Sequence, residues 1–277
     1  MPVCPEVECG LGTPREAMRL LRAERGPRLV TLKTARDLTA SMERFARSRV
    51  AALAAEDLSG YILKKDSPSC GLERVKVYDR HGAPTRDGRG LFAAALVEAC
   101  PHLPVEEEGR LADPGLRDNF VERVFAYWRL RGLFAGRWTF GDLVHFHTAH
   151  KLMVLAHAPE VYRRLGRLVA DARGMPRREL EGRYATAFMQ ALAQLATPRR
   201  HTNVLQHMAG YFNKRLDAPS TRELGEVIDD YRRGLVPLIV PLTLVRHHVR
   251  IHDVRYLAGQ QIYLEPHPKE LMLRNHV

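Results

Sequence analysis

The stretch YILKKDSPSCGLERVKVYD, residues 61–79, contains two strand-like segments separated by a turn. YILKK (61–65) is a short apolar run, and ERVKVYD (73–79) alternates apolar and polar residues, a pattern typical of a β-strand. DSPSCG (66–71) is rich in residues that favour turns. We therefore predict strand, turn and strand here, with Cys70 in the turn.

Helical and further strand patterns flank this stretch on both sides. PRLVTLKT (27–34) predicts another strand, and residues 35–60 carry apolar side chains at near-helical spacing, with Gly60 as the expected C-cap. HGAPTRDGRG (81–90) is predicted to be a loop, and LFAAALVEAC (91–100) a short apolar helix. This order of elements indicates an α/β domain with a parallel sheet, in which ligands gather on loops at the carboxyl ends of strands.

The pattern becomes helical after Asp113-Pro114, which gives a predicted α/β domain at 1–112 and a predicted all-α domain at 116–277. Seven helices are expected there, and the proline-punctuated tail from 255 onward should pack against them. Starts are predicted at Asp118, Asp142 and Ser220, stops at Gly132, Gly174 and Gly234, and a break or kink at Pro237 and Pro241.

The composition and charge bear on the partners and the cellular location of the protein. A formal net charge of +11 favours an anionic partner, nucleic acid first, although an Arg-, Ala- and Leu-rich composition accounts for it equally well. No apolar run approaches membrane-spanning length, and the first residues lack the features of a signal peptide. We therefore predict a cytoplasmic protein with no membrane partner.

Four cysteines in a chain of 277 residues do not indicate a disulfide framework. Cys100 ends an apolar helical stretch, where a buried structural role is expected. Cys4 and Cys70 each lie in turn-like segments, CPEVECG and SPSCG, predicted to be loops that face a ligand, and Cys9 shares the first segment. No paired C-x-x-C arms of a zinc ribbon occur, so core filler, metal or cluster ligand, and reactive thiol all remain open.

Specific motifs carry a family resemblance over nearly the whole chain. VCPEVECGLGTPREAMRL, KKDSPSCGLERVKVYD and VEEEGRLADPGLRDNF resemble the DUF523 family, whose characterised members include thiouracil desulfurase. HFHTAHKLMVLAH, RRHTNVLQHMAGYF, YRRGLVPLIVPLTLVRHH and KELMLRNHV resemble the YbgA-like family DUF1722, which often follows a DUF523 domain. The resemblance implies an enzyme of the thiouracil or thionucleotide desulfurase type.

The resemblance also implies a cofactor and its ligands. Three cysteines hold a [4Fe–4S] cluster in the desulfurases, and one open iron takes the sulfur from a thiolated pyrimidine base or nucleotide, without oxidation. By motif, Cys4 and Cys70 are the implied metal and cofactor ligands. The family's first ligand lies in a CLLG-like motif upstream of CPE, and this sequence begins three residues before Cys4. We therefore expect a missing first strand and a cluster held weakly or not at all, unless Cys9 supplies the third thiolate.

Polar residues of the same two motifs are further candidates. Glu6 is a candidate base or hydrogen-bond partner for the pyrimidine, and otherwise a solvated acid. Ser67 and Ser69 are candidate donors to a substrate carbonyl or a cluster sulfide. The alternative is that they only stabilise the turn, in which serine is a favoured residue. Arg15 is expected to begin a helix or to form a surface ion pair.

The helical domain suggests a second class of function. Arg-rich segments at 163–178, 199–200 and 232–234 lie near aromatic residues, a combination typical of RNA or single-stranded DNA binding, although solvated helix faces give the same pattern. The aromatic residues are Tyr162, Tyr184, Tyr211, Phe212 and Tyr231. The alternative function is thus a nucleic-acid-binding accessory protein without catalytic activity. The histidines of 145–157 lack an HExxH motif, so core or interface roles are expected rather than a metal site.

Overall fold

The computed structural model describes residues 1–277 as two compact units, Met1–Ala112 and Asp113–Val277. The first unit mixes strands and helices, whereas the second is helical. None of the helices combines the length and the apolar character needed to cross a lipid bilayer.

The N-terminal unit contains six short strands and two helices. In chain order they are β1 (Met18–Leu21), β2 (Arg28–Thr31), α1 (Thr39–Ala55), β3 (Tyr61–Leu63), β4 (Val75–Tyr78), β5 (Pro84–Gly88), α2 (Leu91–Ala99) and β6 (Val105–Glu107). Four strands form one sheet in the order β2-β1-β4-β5, and β3 pairs with β6 in parallel. Within the larger sheet β1–β4 is parallel, while β1–β2 and β4–β5 are antiparallel.

The predicted α/β class is confirmed, but the sheet is mixed rather than wholly parallel. β1 follows the CPE segment without having been predicted, and β5 occupies the stretch 81–90 that was predicted to be a loop. β5 is an almost wholly exposed edge strand, so it shows no apolar alternation, and its pairing with β4 alone makes it a strand. α1 ends at Ala55 with Glu56 as its C-cap, so the expected cap at Gly60 was wrong.

A small apolar core holds this unit together. Leu20, Leu29, Met42 and Phe92 are fully buried. α1 packs against α2, with the rings of Phe45 and Phe92 6.4 Å apart. Burying such side chains stabilises a fold by about 1.5–3 kcal/mol each. The sheet and the two helices therefore fix the loops that connect them.

The C-terminal unit contains the seven expected helices. They are α3 (Pro114–Phe134), α4 (Phe140–His157), α5 (Pro159–Ala170), α6 (Arg177–Leu192), α7 (Pro198–Ala209), α8 (Ala218–Arg232) and α9 (Ile239–Ile251). Four of them begin with a side-chain cap, provided by Asp113, Thr139, Thr197 and Asp217. A cap accepts a hydrogen bond from a free amide of the first turn, which sets where the helix begins.

Several predicted helix boundaries need correction. Asp118, Asp142 and Ser220 lie inside α3, α4 and α8, because Asp113, Thr139 and Asp217 supply the caps instead. Gly132 also lies inside α3, where a glycine is tolerated. Pro237 precedes α9, and Pro241 lies in its first turn, where proline removes no intrahelical hydrogen bond.

The tail beyond α9 packs in short 3₁₀ turns, as expected. Tyr263 is fully buried, and His267 and Arg274 are nearly so. The guanidinium of Arg274 contacts the ring of Tyr263 at 5.1 Å. The tail is therefore part of the core of the helical unit.

Candidate functional site

Cys4 lies at the start of a helical turn rather than in the predicted loop. Val7–Leu11 adopts a π-helical turn, and the amide of Glu8 donates to the carbonyl of Cys4 at 2.9 Å. The carboxylate of Glu8 in turn accepts from the amide of Cys4 at 3.1 Å. These reciprocal hydrogen bonds are a form of helix capping, and they fix the backbone at Cys4.

The loop that carries Cys70 is held by the N-terminus of α2. The carbonyl of Ser69 accepts from the amides of Phe92 (3.0 Å) and Ala93 (3.2 Å), and the carbonyl of Pro68 accepts from that of Leu91. The first amides of a helix have no partner within it, so the loop satisfies them from outside. The position of Cys70 is therefore set by α2.

Glu6, Ser67 and Ser69 converge beside Cys70. Oε1 of Glu6 accepts from Oγ of Ser69 at 2.6 Å and from Oγ of Ser67 at 3.4 Å. Oγ of Ser69 lies 3.6 Å from Sγ of Cys70, and Oγ of Ser67 accepts from the amide of Cys70 at 3.1 Å. The structure thus brings together four candidates that lie about sixty residues apart in the sequence.

Arg15 pairs with Glu6 and completes this arrangement. Its Nη2 lies 2.5 Å from Oε2 of Glu6, and its Nη1 donates to the carbonyl of Gly12. The expected ion pair is therefore present, whereas no helix begins at Arg15. Sequence reasoning missed that Arg15 holds the Glu6 carboxylate, because nothing in the motif distinguishes it from a surface arginine.

Two thiols of the site, those of Cys70 and Cys9, have raised pKa values that favour the protonated form. Burial, and then the negative charges of Glu6 and Cys4, raise the pKa of Cys70 to about 11, although a hydrogen bond from Ser69 opposes the shift. Burial and Glu6 also raise the pKa of Cys9, whose thiol donates to the carbonyl of Glu6 at 3.4 Å. A bound metal reverses this preference, because a coordinating thiol is deprotonated outright.

The donor set suits an iron–sulfur cluster in kind, since thiolates are its usual ligands. Cys4 is exposed, and Cys9 and Cys70 are half-buried, so all three are reachable. No three His, Cys, Asp or Glu side chains of the chain lie together in positions that could hold a metal ion. Cys4 and Cys70 are the residues that could hold a cluster, and the structure places no third ligand beside them.

A small cavity adjoins Cys70. Its volume is about 260 Å³, and Val3, Tyr61, Lys64 and Glu108 are among its lining residues. Lys64 and Glu108 form an ion pair at 2.7 Å, and burial raises the pKa of Tyr61 to about 12, so its hydroxyl stays protonated. Ligand cavities usually measure about 300–1,000 Å³, so this one suits a small molecule.

Cys100 is half-buried at the end of α2, rather than fully buried as expected. It is the C-cap residue of that helix, and burial raises the pKa of its thiol. Its place at a helix end explains the partial exposure.

Three of the four histidines of α4 have the packed roles that were expected. Nδ1 of His150 lies 2.8 Å from the carbonyl of Phe146, and Nδ1 of His157 lies 2.6 Å from that of Gln194. His147 contacts the hydroxyl of Tyr184, and His145 is exposed. The side chains of His147, His150 and His157 therefore contribute to the packing of the helices.

The aromatic part of the predicted nucleic-acid surface is largely absent. Tyr184, Phe212 and Tyr231 are buried in the hydrophobic core, where they offer no face to a base. Helical spacing alone did not show which face of each helix is inward. Several of the arginines pair with acids on their own helices, as Arg183 does with Glu179 and Arg232 with Asp229.

Comparisons with known proteins match different families to the α/β unit and to the helical unit. A family model described as 2-thiouracil desulfurase matches residues 1–108, and one described as a protein of unknown function (DUF1722) matches residues 151–268. The uncharacterized protein YbgA of Escherichia coli (strain K12) is 36% identical over 159 residues, which is 57% of this chain and 94% of YbgA. A solved structure described as a [4Fe–4S]-dependent thiouracil desulfidase is 30% identical, with a TM-score of 0.32, and the match covers 40% of this chain and 69% of that one.

The fold and the site define a protein in which a desulfurase-type α/β unit with a cysteine-bearing loop precedes an all-helical unit. The chain belongs to the family of YbgA, and its residues 151–268 match the DUF1722 model.

Proposed function

We propose that the N-terminal unit removes sulfur from a small thiolated pyrimidine, either a free base or a nucleotide, with the help of a [4Fe–4S] cluster. The observation that carries this proposal is the connected set Glu6, Ser69 and Cys70 in a region that matches the 2-thiouracil desulfurase model. The cavity beside Cys70 has room for a small ring.

The cluster would supply an open iron with affinity for the sulfur of the substrate, while Cys4 and Cys70 hold it. The overall change is hydrolytic: water supplies the oxygen of the new carbonyl, and the sulfur leaves as sulfide. No external oxidant or reductant is needed for this balance.

Glu6, Arg15, Ser67 and Ser69 are proposed to position that water and to accept its proton. Glu6 is connected to Cys70 through the hydroxyl of Ser69, so it is the proposed proton acceptor. Arg15 holds the other carboxylate oxygen, which orients Oε1 toward the serines. Each serine hydroxyl has one proton, which it donates to Glu6 in this structure, so Ser67 and Ser69 are proposed to turn from Glu6 and donate to the oxygen that develops on the pyrimidine.

The test is anaerobic reconstitution with iron and sulfide, followed by measurement of iron per chain and of uracil and sulfide released from 2-thiouracil. We expect Cys4→Ser and Cys70→Ser to lose both bound iron and activity. Cys100→Ser is the matched control, and it should keep both. A Cys70→Ser variant that retained full iron and activity would refute the proposed site.

The same measurement decides the third ligand. Loss of iron in Cys9→Ser would assign Cys9 to the cluster. Retention of iron would leave Cys9 as the hydrogen-bond donor to Glu6 that the structure describes. A reconstituted protein with iron but no release of sulfide would argue against the thiolated pyrimidine as substrate.

A further inference from the structure

The helical unit contains a second cavity, which lies between one face of α9 and the tail and measures about 610 Å³. Residues three and four positions apart are neighbours on a helix surface, and the α9 residues that line the cavity follow this spacing. They are Ile239, Thr243, Arg246 and Arg250. The segment 257–265 of the tail and Lys269 supply the facing wall. Sites for small molecules usually measure about 300–1,000 Å³, so the volume suits a ligand of that kind.

The wall of the cavity is apolar over much of its area. Val249 of α9 and Leu264 of the tail contribute to it and belong to the hydrophobic core, and Ile262 packs against that core. Ile239 and Ile262 are half-buried, so part of each side chain still contacts water. The apolar body of a ligand would release this water, which favours binding.

Three cationic side chains line the same cavity, and only one of them has an acidic partner. Nη1 of Arg246 lies 3.4 Å from Oε1 of Glu265, and this ion pair joins α9 to the tail. Arg250 and Lys269 are exposed and form no ion pair. Arg250 lies four residues from Arg246, and like charges at this spacing are unfavourable on a helix. The cavity therefore has a positive charge that its own carboxylate does not compensate.

We propose that this cavity binds a small amphipathic anion, namely a free carboxylate with a short unbranched hydrocarbon chain. The carboxylate accepts hydrogen bonds from Arg250 and Lys269, and the chain lies against Ile239 and Ile262. Hydrogen bonds between ionised partners are the stronger ones, and here they would offset the uncompensated charge.

Both halves of the cavity argue for such a ligand. An inorganic anion would leave the apolar wall in contact with water, and a neutral hydrocarbon would leave the two cations without a partner. This inference is independent of the proposed chemistry at Cys70.

The test is isothermal titration calorimetry of the full-length protein with octanoate, octanol and acetate. Octanol keeps the chain but has no charge, and acetate keeps the carboxylate but has no chain. Octanoate should bind saturably, and each of the other two compounds should bind roughly tenfold more weakly or less well still. Octanol or acetate binding as tightly as octanoate, or no binding of octanoate, would overturn the proposal.

Variants locate the binding site. Arg250→Met should weaken octanoate binding roughly tenfold or more without changing the circular dichroism spectrum, because it removes the charged donor and keeps an apolar side chain. Arg222→Met is the matched control, since Arg222 is an exposed arginine of α8 that does not line the cavity. It should bind octanoate like the unmodified protein. Unchanged octanoate affinity in Arg250→Met would refute the proposed site.

Two further measurements separate this site from other sources of binding. Cys70→Ser should leave octanoate binding unchanged, which distinguishes the cavity from the desulfurase site. Lipids with an anionic head group share the chemistry of octanoate, so the protein is also sedimented with vesicles of phosphatidylglycerol, and we expect it to stay in solution. A protein that sedimented with these vesicles but did not bind octanoate would overturn the proposal in favour of a lipid surface.

Discussion

The carboxylate of Glu6 is shared between two kinds of partner. Arg15 holds Oε2, while Ser69 and Ser67 donate to Oε1. The arginine fixes the orientation of the group, and the serine hydroxyls connect it to the neighbourhood of Cys70. A proton acceptor that acts on substrate needs such a fixed position before it needs a particular pKa.

Replacing Glu6 with Gln should lower the rate of 2-thiouracil desulfuration by roughly 10²–10⁴-fold, because the amide keeps the shape but cannot accept the proton. Bound iron should stay unchanged, since Glu6 is not a proposed ligand. The measurement is the rate per reconstituted cluster.

Glu98→Gln is the matched control, because Glu98 is an exposed carboxyl on α2. This variant should have the same rate per reconstituted cluster and the same bound iron as the unmodified protein. A Glu6→Gln protein with normal iron and a normal rate would remove Glu6 from the mechanism.

At the scale of elements, the loop 66–71 packs directly against the start of α2, so the position of one depends on that of the other. The start of α2 approaches the loop so closely that a Cβ on Gly90 would lie 2.3 Å from the carbonyl oxygen of Ser69 and 2.7 Å from the amide of Cys70. Both are backbone atoms, so neither can rotate away. A glycine is therefore required where helix and loop meet.

Gly90→Ala should displace the loop, destabilise the N-terminal unit by about 1–3 kcal/mol and reduce bound iron. Calorimetry and iron analysis measure the two effects. Gly225→Ala in α8 is the control for the same change, because nothing lies within 4 Å of the added methyl group. It should be neutral or stabilising by up to about 1 kcal/mol. Equal behaviour of the two variants would contradict the close approach.

The helical unit is tied together by a buried ionic cluster. Arg274 of the tail donates to Oε2 of Glu122 on α3 at 3.1 Å, and Nε2 of His157 lies 3.2 Å from Oε1. His267 of the tail meets Asp118 at 2.8 Å. Hydrogen bonds from His157 and the charge of Arg274 hold the pKa of Glu122 well below its usual range, although burial opposes them.

Glu122→Gln should destabilise the helical unit by about 3–5 kcal/mol, because it leaves the buried charge of Arg274 with only the more distant carboxylate of Asp118, at 4.0 Å. The double variant Glu122→Gln with Arg274→Met should recover part of that loss, since the poorly compensated guanidinium is then removed. Denaturant unfolding monitored by circular dichroism gives the values.

Arg255→Met is the control, because the ion pair of Arg255 with Asp253 is solvent-exposed and should contribute little. Losses that simply add in the double variant would mean that the two charges do not depend on each other.

Mild acid should destabilise the helical unit through its buried histidines. Burial lowers the pKa of both His150 and His201 to about 3, from an ordinary value of 6.5. The unfolded chain therefore takes up protons first as the pH falls. The stabilisation is complete above about pH 6.5 and declines from there toward pH 3.

The expected result is a melting temperature that stays nearly constant from pH 7.5 to about pH 6.5 and falls from there to pH 5, above the range in which carboxylates titrate. His201→Gln removes one titrating group and should flatten that dependence, even if the variant is less stable at pH 7.5. An unchanged slope would show that His201 does not contribute to it.

The sequence by itself determined the α/β and all-α division, three of the six strands and the seven helices. Local patterns suffice for these elements, because apolar periodicity and turn residues act over a few neighbouring positions. The turn at 66–71 and the helix at 91–99 were predictable for the same reason. The motifs also pointed to Glu6, Ser67, Ser69 and Cys70 as residues of one family site, but not to their contacts.

Only the tertiary structure decided the strand β5, the starts of α3, α4 and α8, and the pairing of Glu6 with both Arg15 and Ser69. β5 is polar and exposed, so its hydrogen bonds with β4 define it rather than any pattern of its own. The burial of Tyr184, which lies near an Arg-rich segment yet is fully buried, was also decided by tertiary packing. Which face of a helix turns inward depends on the neighbours it packs against, and those neighbours are distant in the sequence.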